Sequence, residues 1–150
     1  PRVQSAMVRT VSLPTYAAAE EIALETTDGR IIIREDVLWA DRPDRAVTLI
    51  LTRTLGDILN TDVGPDPWPF IGLPDVSVDI RVERMLGSLD GTFKLNGQFF
   101  IASEAVPFRD SSHTFEITEQ MADAMVGSIA AAQSAALLKL AEQIAATLGR

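Results

Sequence analysis

The chain reads as an α+β domain, a two-layer sandwich in which a mostly antiparallel sheet carries two helices on one face. Three observations carry that reading. Two adjacent runs near residues 76–83 and 92–101 alternate apolar and polar residues with a period of two, the mark of strands covered on one side only. An Asp28-Gly29 pair separates two apolar runs and signals a tight hairpin. Two other stretches place apolar residues every third or fourth position, the spacing of one helical face.

Taken in order, Val8 to Leu13 mixes β-branched and small polar residues before Pro14 and reads as a short strand, with Tyr16 in the turn that leaves it. The Asp28-Gly29 hairpin spans about residues 21–35, its arms being Ile22-Ala23-Leu24-Glu25-Thr26 and Arg30-Ile31-Ile32-Ile33-Arg34. Asp41-Arg42-Pro43 looks like a helix start, aspartate as N-cap and proline in the first turn. Over residues 45–60 the apolar set Val47, Ile50, Leu51, Leu55, Ile58 and Leu59 shares a face, with Arg45, Thr48, Thr52 and Arg53 largely off it. Asn60 and Gly64 are the stop signals. Residues 64–75 hold four of the eight prolines, which precludes a helix or a central strand, so this is an extended loop and an unusually apolar one.

After the loop, Val76, Val78, Ile80 and Val82 form one face of a strand, and Phe93, Leu95, Gly97, Phe99 and Ile101 one face of its antiparallel return across Leu89-Asp90-Gly91. A third strand follows at His113 to Ile117. From about Thr118 to Leu148 the stripe Met121, Met125, Ile129, Ala132, Ala136, Leu140, Ile144 and Leu148 predicts a helix roughly 45 Å long at about 1.5 Å per residue. Neither a repeat nor a linker divides the chain, so residues 1–150 are expected to fold as a single domain.

Composition narrows function by exclusion. With 150 residues, 47% of them hydrophobic, and a mean hydropathy of +0.15, the chain can bury a core and is no disordered tail. The formal charge of -8 argues against a nucleic-acid partner, whose phosphates are met by Lys and Arg. No cysteine is present, so disulfides, thiolate metal sites and a thiol nucleophile are excluded. The longest uncharged stretch, Ala124 to Leu138, has 15 residues and is too short to span a bilayer. Pro1 in first place, with no signal-peptide layout after it, reads as a mature or trimmed product.

Chemistry is hard to find. His113 beside Ser111 and Ser112 invites a nucleophilic reading, but no Gly-x-Ser-x-Gly elbow accompanies it, and an edge-strand histidine is the expectation. The acids Glu20-Glu21, Glu35-Asp36 and Asp62/Asp66 read as solvated surface; neighbours on a strand point to opposite faces. Prolines interrupt any calcium-loop order in Asp62-Val63-Gly64-Pro65-Asp66. No catalytic residue, cofactor or metal site is expected. What stands out is the loop with Trp68, Phe70, Ile71 and Leu73. Either it folds back over a sheet edge or the open end of the core, or it is a contact patch for another protein or a lipid.

The order of these features resembles the ABC-type transport auxiliary lipoproteins. The resemblance runs through Leu13-Pro14-Thr15-Tyr16, the Asp28-Gly29-Arg30 turn, Trp39-Ala40-Asp41-Arg42-Pro43 at the first helix and Pro67-Trp68-Pro69 in the loop. It continues into the valine-rich strand, the glycine turn, the aromatic return strand and the closing alanine-rich helix. Where the family's return strand usually bears a tryptophan, this chain has Phe99 and Phe100, and the lipid-accepting cysteine is not in the sequence. The resemblance implies a non-enzymatic periplasmic protein, held to the outer membrane by an N-terminal lipid. It would serve an ABC-powered lipid or solvent transport system beside a mammalian-cell-entry-domain subunit, with a homo-oligomer as a further partner state. The apolar loop and the alanine-rich helix are the surfaces it singles out. A second reading from the residues is a small periplasmic lipid carrier, which would need an apolar cavity of a few hundred cubic ångströms between helix and sheet.

Overall fold

The computed structural model describes residues 3–19, 21–38 and 42–149. Its elements in chain order are β1 (Ser5–Val8), α1 (Thr15–Ala18), β2 (Glu21–Glu25), β3 (Ile31–Leu38), α2 (Pro43–Leu59), β4 (Asp62–Pro65), β5 (Val76–Ser88), β6 (Thr92–Ser103), β7 (Ser111–Gln120) and α3 (Val126–Thr147). The strands form one seven-stranded sheet. The period-two runs became β5 and β6, paired antiparallel from Val76↔Ser103 to Gly87↔Phe93, and β7 adds antiparallel to β6. Asp28-Gly29 turns β2 into β3 as expected, with Gly29 at φ +87°, a conformation only glycine adopts without strain.

The sheet is mixed rather than mostly antiparallel. β1 runs parallel to both β4 and β5, and β2 runs parallel to β5. Because β6 lines one edge of β5 along its length, β1 and β2 both take the other edge, end to end. β1 lies beside residues 76–78 and β2 beside residues 87–88, and Ser12 bridges to Arg81 between them. Outside this broken strand sit β4, next to β1, and β3, next to β2. Alternation within a strand records which face is buried and carries nothing about the direction of its neighbour, so these parallel pairs were invisible in the sequence.

Local corrections follow the same logic. The first strand is Ser5–Val8, upstream of the expected position. The final helix begins at Val126, because Thr118 to Gln120 complete the β7 ladder, with Thr92 opposite Gln120. At 22 residues it is about 33 Å long. On α2, Ile50 is exposed, whereas Thr48 and Thr52 are buried. Thr48 is buried for a reason. Its hydroxyl accepts the Val11 amide at 2.9 Å and donates to the Asp44 carbonyl at 2.7 Å, tying the stretch after β1 to the helix. Asn60 ends α2 in the left-handed conformation, as expected of a stop signal. Asp41, the expected N-cap, lies outside the described residues with Trp39 and Ala40.

The core is one cluster. It joins Val47, Leu51, Leu55 and Leu59 of α2 and Ile129, Ala136, Leu140 and Ile144 of α3 to Val78, Ile80, Leu95, Phe99, Ile101, Phe115 and Ile117 of the sheet. The alanines at 132, 136, 141 and 145 are buried in it. On the opposite face Arg81 lies over the Phe100 ring, 4.9 Å from its centroid, and solvates the sheet.

Turn chemistry makes this fold sensitive to acid. Asp90 opens the β5–β6 turn, accepting the Thr92 hydroxyl at 2.7 Å and the Thr92 amide at 2.9 Å. Those bonds, the hydroxyl first, hold its carboxyl below the usual value. Asp28 and Asp123 are lowered as well, through hydrogen bonds led by Thr26 and Ser128. A carboxyl lowered by folding stabilises the native state above its unfolded pKa, and the contribution is lost as pH falls through the folded value. Stability is therefore expected to decline below pH of about 4. Thr92→Val should return Asp90 toward its ordinary titration, read by NMR of the carboxyl carbon, and make the acid limb of the stability curve shallower.

Candidate functional site

The proline-rich loop leaves β4 at Pro65 and returns at Val76, so both its ends are fixed in the sheet beside β1. Its first half folds back. Pro69 and Trp68 lie over Gly64, where an added Cβ would stand 2.9 Å from the proline ring and 3.3 Å from the indole. Trp68 is half-buried and meets Phe70 edge-on at 5.0 Å. Its second half projects. Phe70 is 47%, Leu73 68% and Ile71 104% exposed, with Gly72 at φ +82° shaping the tip and Pro74 buried behind it.

The loop is divided between the two surfaces: Trp68 covers the fold, while Phe70, Ile71 and Leu73 face outward. Trp68→Ala is expected to cost about 1 to 2 kcal/mol, less than the loss of a fully buried aromatic, whereas Ile71→Ser should stay within about 0.5 kcal/mol. Thermal melting of the two variants separates these roles.

The base of the loop is bonded to the start of the chain. Asp75 accepts the Gln4 amide on Oδ2 at 2.8 Å, and its own amide donates to the Ser5 hydroxyl at 2.9 Å. Residue 5 is thus pinned beside residue 75, two positions after Leu73 of the apolar tip. Nearby, Arg9 stands between Asp66 at 3.7 Å and Glu104 at 3.8 Å.

A second apolar surface was missed. Ile31, Ile32 and Ile33 are between 42% and 47% exposed on β3, which pairs with β2 on one side. The outer position of β3 leaves these three consecutive isoleucines half open. An uncapped apolar edge strand is a pairing site. It lies next to the residue 87–88 end of β5, opposite to the loop at residue 76.

Elsewhere the chemistry stays sparse. His113 Nε2 lies 2.8 Å from Ser111 Oγ, but the ring is stacked on Phe99 at 4.8 Å, and Asp110 spends Oδ1 on the Ser103 amide. No group of three metal-ligating side chains occurs among the described residues. Asp62 and Asp66 do not come together on an ion; Asp66 pairs with Arg9. The pocket between α3 and the sheet, lined by Tyr16, Met85, Phe93 and Ile129, measures about 20 Å³. That is room for about one water. The groove of about 360 Å³ beside the loop has a mixed lining, with Arg42, Asp44, Arg45, Thr48 and Asp66 beside Leu49 and Pro65. Among the described residues no helix is long and apolar enough to cross a membrane.

Comparisons with known proteins fall on one group. Residues 1–145 match the family described as the ABC-type transport auxiliary lipoprotein component. No curated protein matches the chain. Among solved structures, an uncharacterised protein matches at TM-score 0.85 and 17% identity, over 99% of this chain and 95% of that one. A Xanthomonas campestris protein of family model DUF330 matches at 0.75 and 17%, over 98% and 86%. The PelC dodecamer of Paraburkholderia phytofirmans matches at 0.54 and 15%, over 99% and 90%. At these identities the three likenesses establish the fold.

Proposed function

Because this chain belongs to the ABC-type transport auxiliary lipoprotein family, we propose that it is a non-enzymatic binding or scaffold subunit of an ABC/mammalian-cell-entry-type lipid or solvent transport system. In this reading residues 1–150 act as one domain in the periplasm, and a lipid attached upstream of β1 holds it to the outer membrane. The observation that carries the proposal is the distribution of apolar surface. Phe70, Ile71 and Leu73 at one end, and Ile31 to Ile33 at the other, stand open around a closed core, so the surfaces are what the molecule offers.

Family membership supports the transport and lipoprotein parts, since this is not a family of enzymes. The dodecameric PelC supports self-association as a further state. The small interior pocket gives no support to a lipid carrier.

Pull-down of the full-length lipidated protein against the mammalian-cell-entry subunit tests the proposal. Capture is expected, and Ile32→Lys on the β3 edge should reduce it at least about tenfold with the melting temperature unchanged. Failure of the wild-type protein to capture that subunit rejects the reading.

A further inference from the structure

We propose that the loop tip Phe70–Leu73 inserts into the interfacial layer of a lipid bilayer, as a second membrane contact beside the lipid anchor; the inference rests on the lipoprotein reading above. Three features of the loop select a lipid surface over a protein.

The first is position. An upstream lipid can lead into this fold only through Gln4 and Ser5, and both are hydrogen-bonded to Asp75 at the foot of the loop. Gln4 and Ser5 are therefore fixed at the foot of the loop, which puts a membrane held by an upstream lipid within reach of the tip.

The second is shape. Ile71 is fully exposed at a convex tip, and only Phe70 and Leu73 flank it. That patch is far smaller than the roughly 20 to 30 residues a stable protein interface takes from each side. A bilayer needs no matching contour, only apolar side chains that reach it. The loop is also held in place, by Pro67, Pro69 and Pro74 within it and by β4 and β5 at its ends, so little freedom is lost on insertion.

The third is charge. Asp66 and Asp75 flank the loop, Arg9 is shared between Asp66 and Glu104, and the whole chain carries -8. Anionic lipid therefore does not recruit this surface, and insertion is driven by apolar burial. A single acyl chain gives only marginal, reversible membrane binding, so a second contact of this kind converts a tether into a fixed orientation.

The absence of cysteine makes the test clean. An environment-sensitive dye is placed on I71C and, as a control on the exposed face of α3, on S134C. Each labelled chain is mixed with vesicles of phosphatidylcholine alone or of phosphatidylethanolamine with phosphatidylglycerol. The dye at 71 is expected to shift to the blue and brighten with both vesicle types, in low and in high salt, while the dye at 134 does not change. In the unlabelled chain Ile71→Asp combined with Leu73→Asp should lower the vesicle-bound fraction about tenfold while leaving the melting temperature in place.

No response at 71 on saturating vesicles overturns the proposal. So does a response that needs no lipid and grows with protein concentration, which identifies a second copy as the occupant. Binding that requires anionic lipid and is lost in salt overturns it too. Partner capture in the pull-down together with a silent dye rejects insertion alone; a responding dye with failed capture rejects the transport assignment alone.

Discussion

Phe99→Ala is expected to lower the unfolding free energy by about 3 to 5 kcal/mol and the melting temperature by roughly 10 to 20 °C. Phe99 sits on β6 at the centre of the antiparallel half of the sheet and is 2% exposed. It stacks on His113 at 4.8 Å and lies 6.4 Å from Phe115, both on β7. Truncation removes apolar burial, opens a cavity among rings that cannot collapse into it, and ends the aromatic contacts that register β7 against β6. The half-buried His113 loses its stacking partner with it, so its NMR chemical shifts should move even where the fold survives. Urea denaturation checks the stability; a cost under about 1 kcal/mol would show that the ring is not a keystone of this layer.

Gly97→Ala should cost about 2 to 3 kcal/mol, a large effect for one methyl group. The methyl carbon would stand 2.3 Å from the Arg81 carbonyl oxygen, 2.9 Å from Phe115 Cζ and 3.0 Å from Val82 Cα. Two of those three neighbours are backbone, and backbone in a ladder cannot step aside cheaply. The register explains the close approach. Val82 pairs with Gly97 and Arg84 with Asn96, so Glu83 is the extra residue of a bulge that bends β5 toward its partner. Gly127→Ala is the control: an added Cβ there meets nothing within 4 Å, at the start of α3, and stability should change by no more than about 0.5 kcal/mol. Equal costs at the two glycines would refute the bulge argument.

The elements that local pattern can specify were legible. Val76, Val78, Ile80 and Val82 alternate because one face of β5 is dry, and Val47, Leu51, Leu55 and Leu59 repeat because one face of α2 is. The Asp28-Gly29 turn declared its hairpin through the one residue that accepts φ +87°. What depended on the path of the chain was hidden. β1 and β2 share an edge of β5 only because the intervening segment returns the chain to the same side, and β4 is four residues containing a glycine and a proline, too short to show a period. Met121 and Met125 fitted a helical stripe although Met121 follows the end of β7 and Met125 caps α3, since three- and four-residue steps tolerate misplaced members.

For the candidate site, the apolar character of residues 68–73 was plain in the sequence, and so was the ambiguity between covering and contacting. Its division into a half-buried indole and an exposed tip needed Gly64, whose lack of a side chain lets Trp68 and Pro69 settle over β4. The proximity of Ser5 to Asp75 spans seventy positions and has no local signature. The exposure of Ile31–Ile33 has no local signature either, because a run of isoleucine does not tell an inner strand from the outermost one.

The end-to-end docking of β1 and β2 along β5 has a consequence for how the polypeptide acquires its shape. The first two strands of the sheet meet the long strand β5 only at residues 76–78 and 87–88, although β2 pairs locally with β3 and β1 with β4. Their joining to β5 waits until more than half of the sequence has been made, and high sequence separation of this kind slows folding.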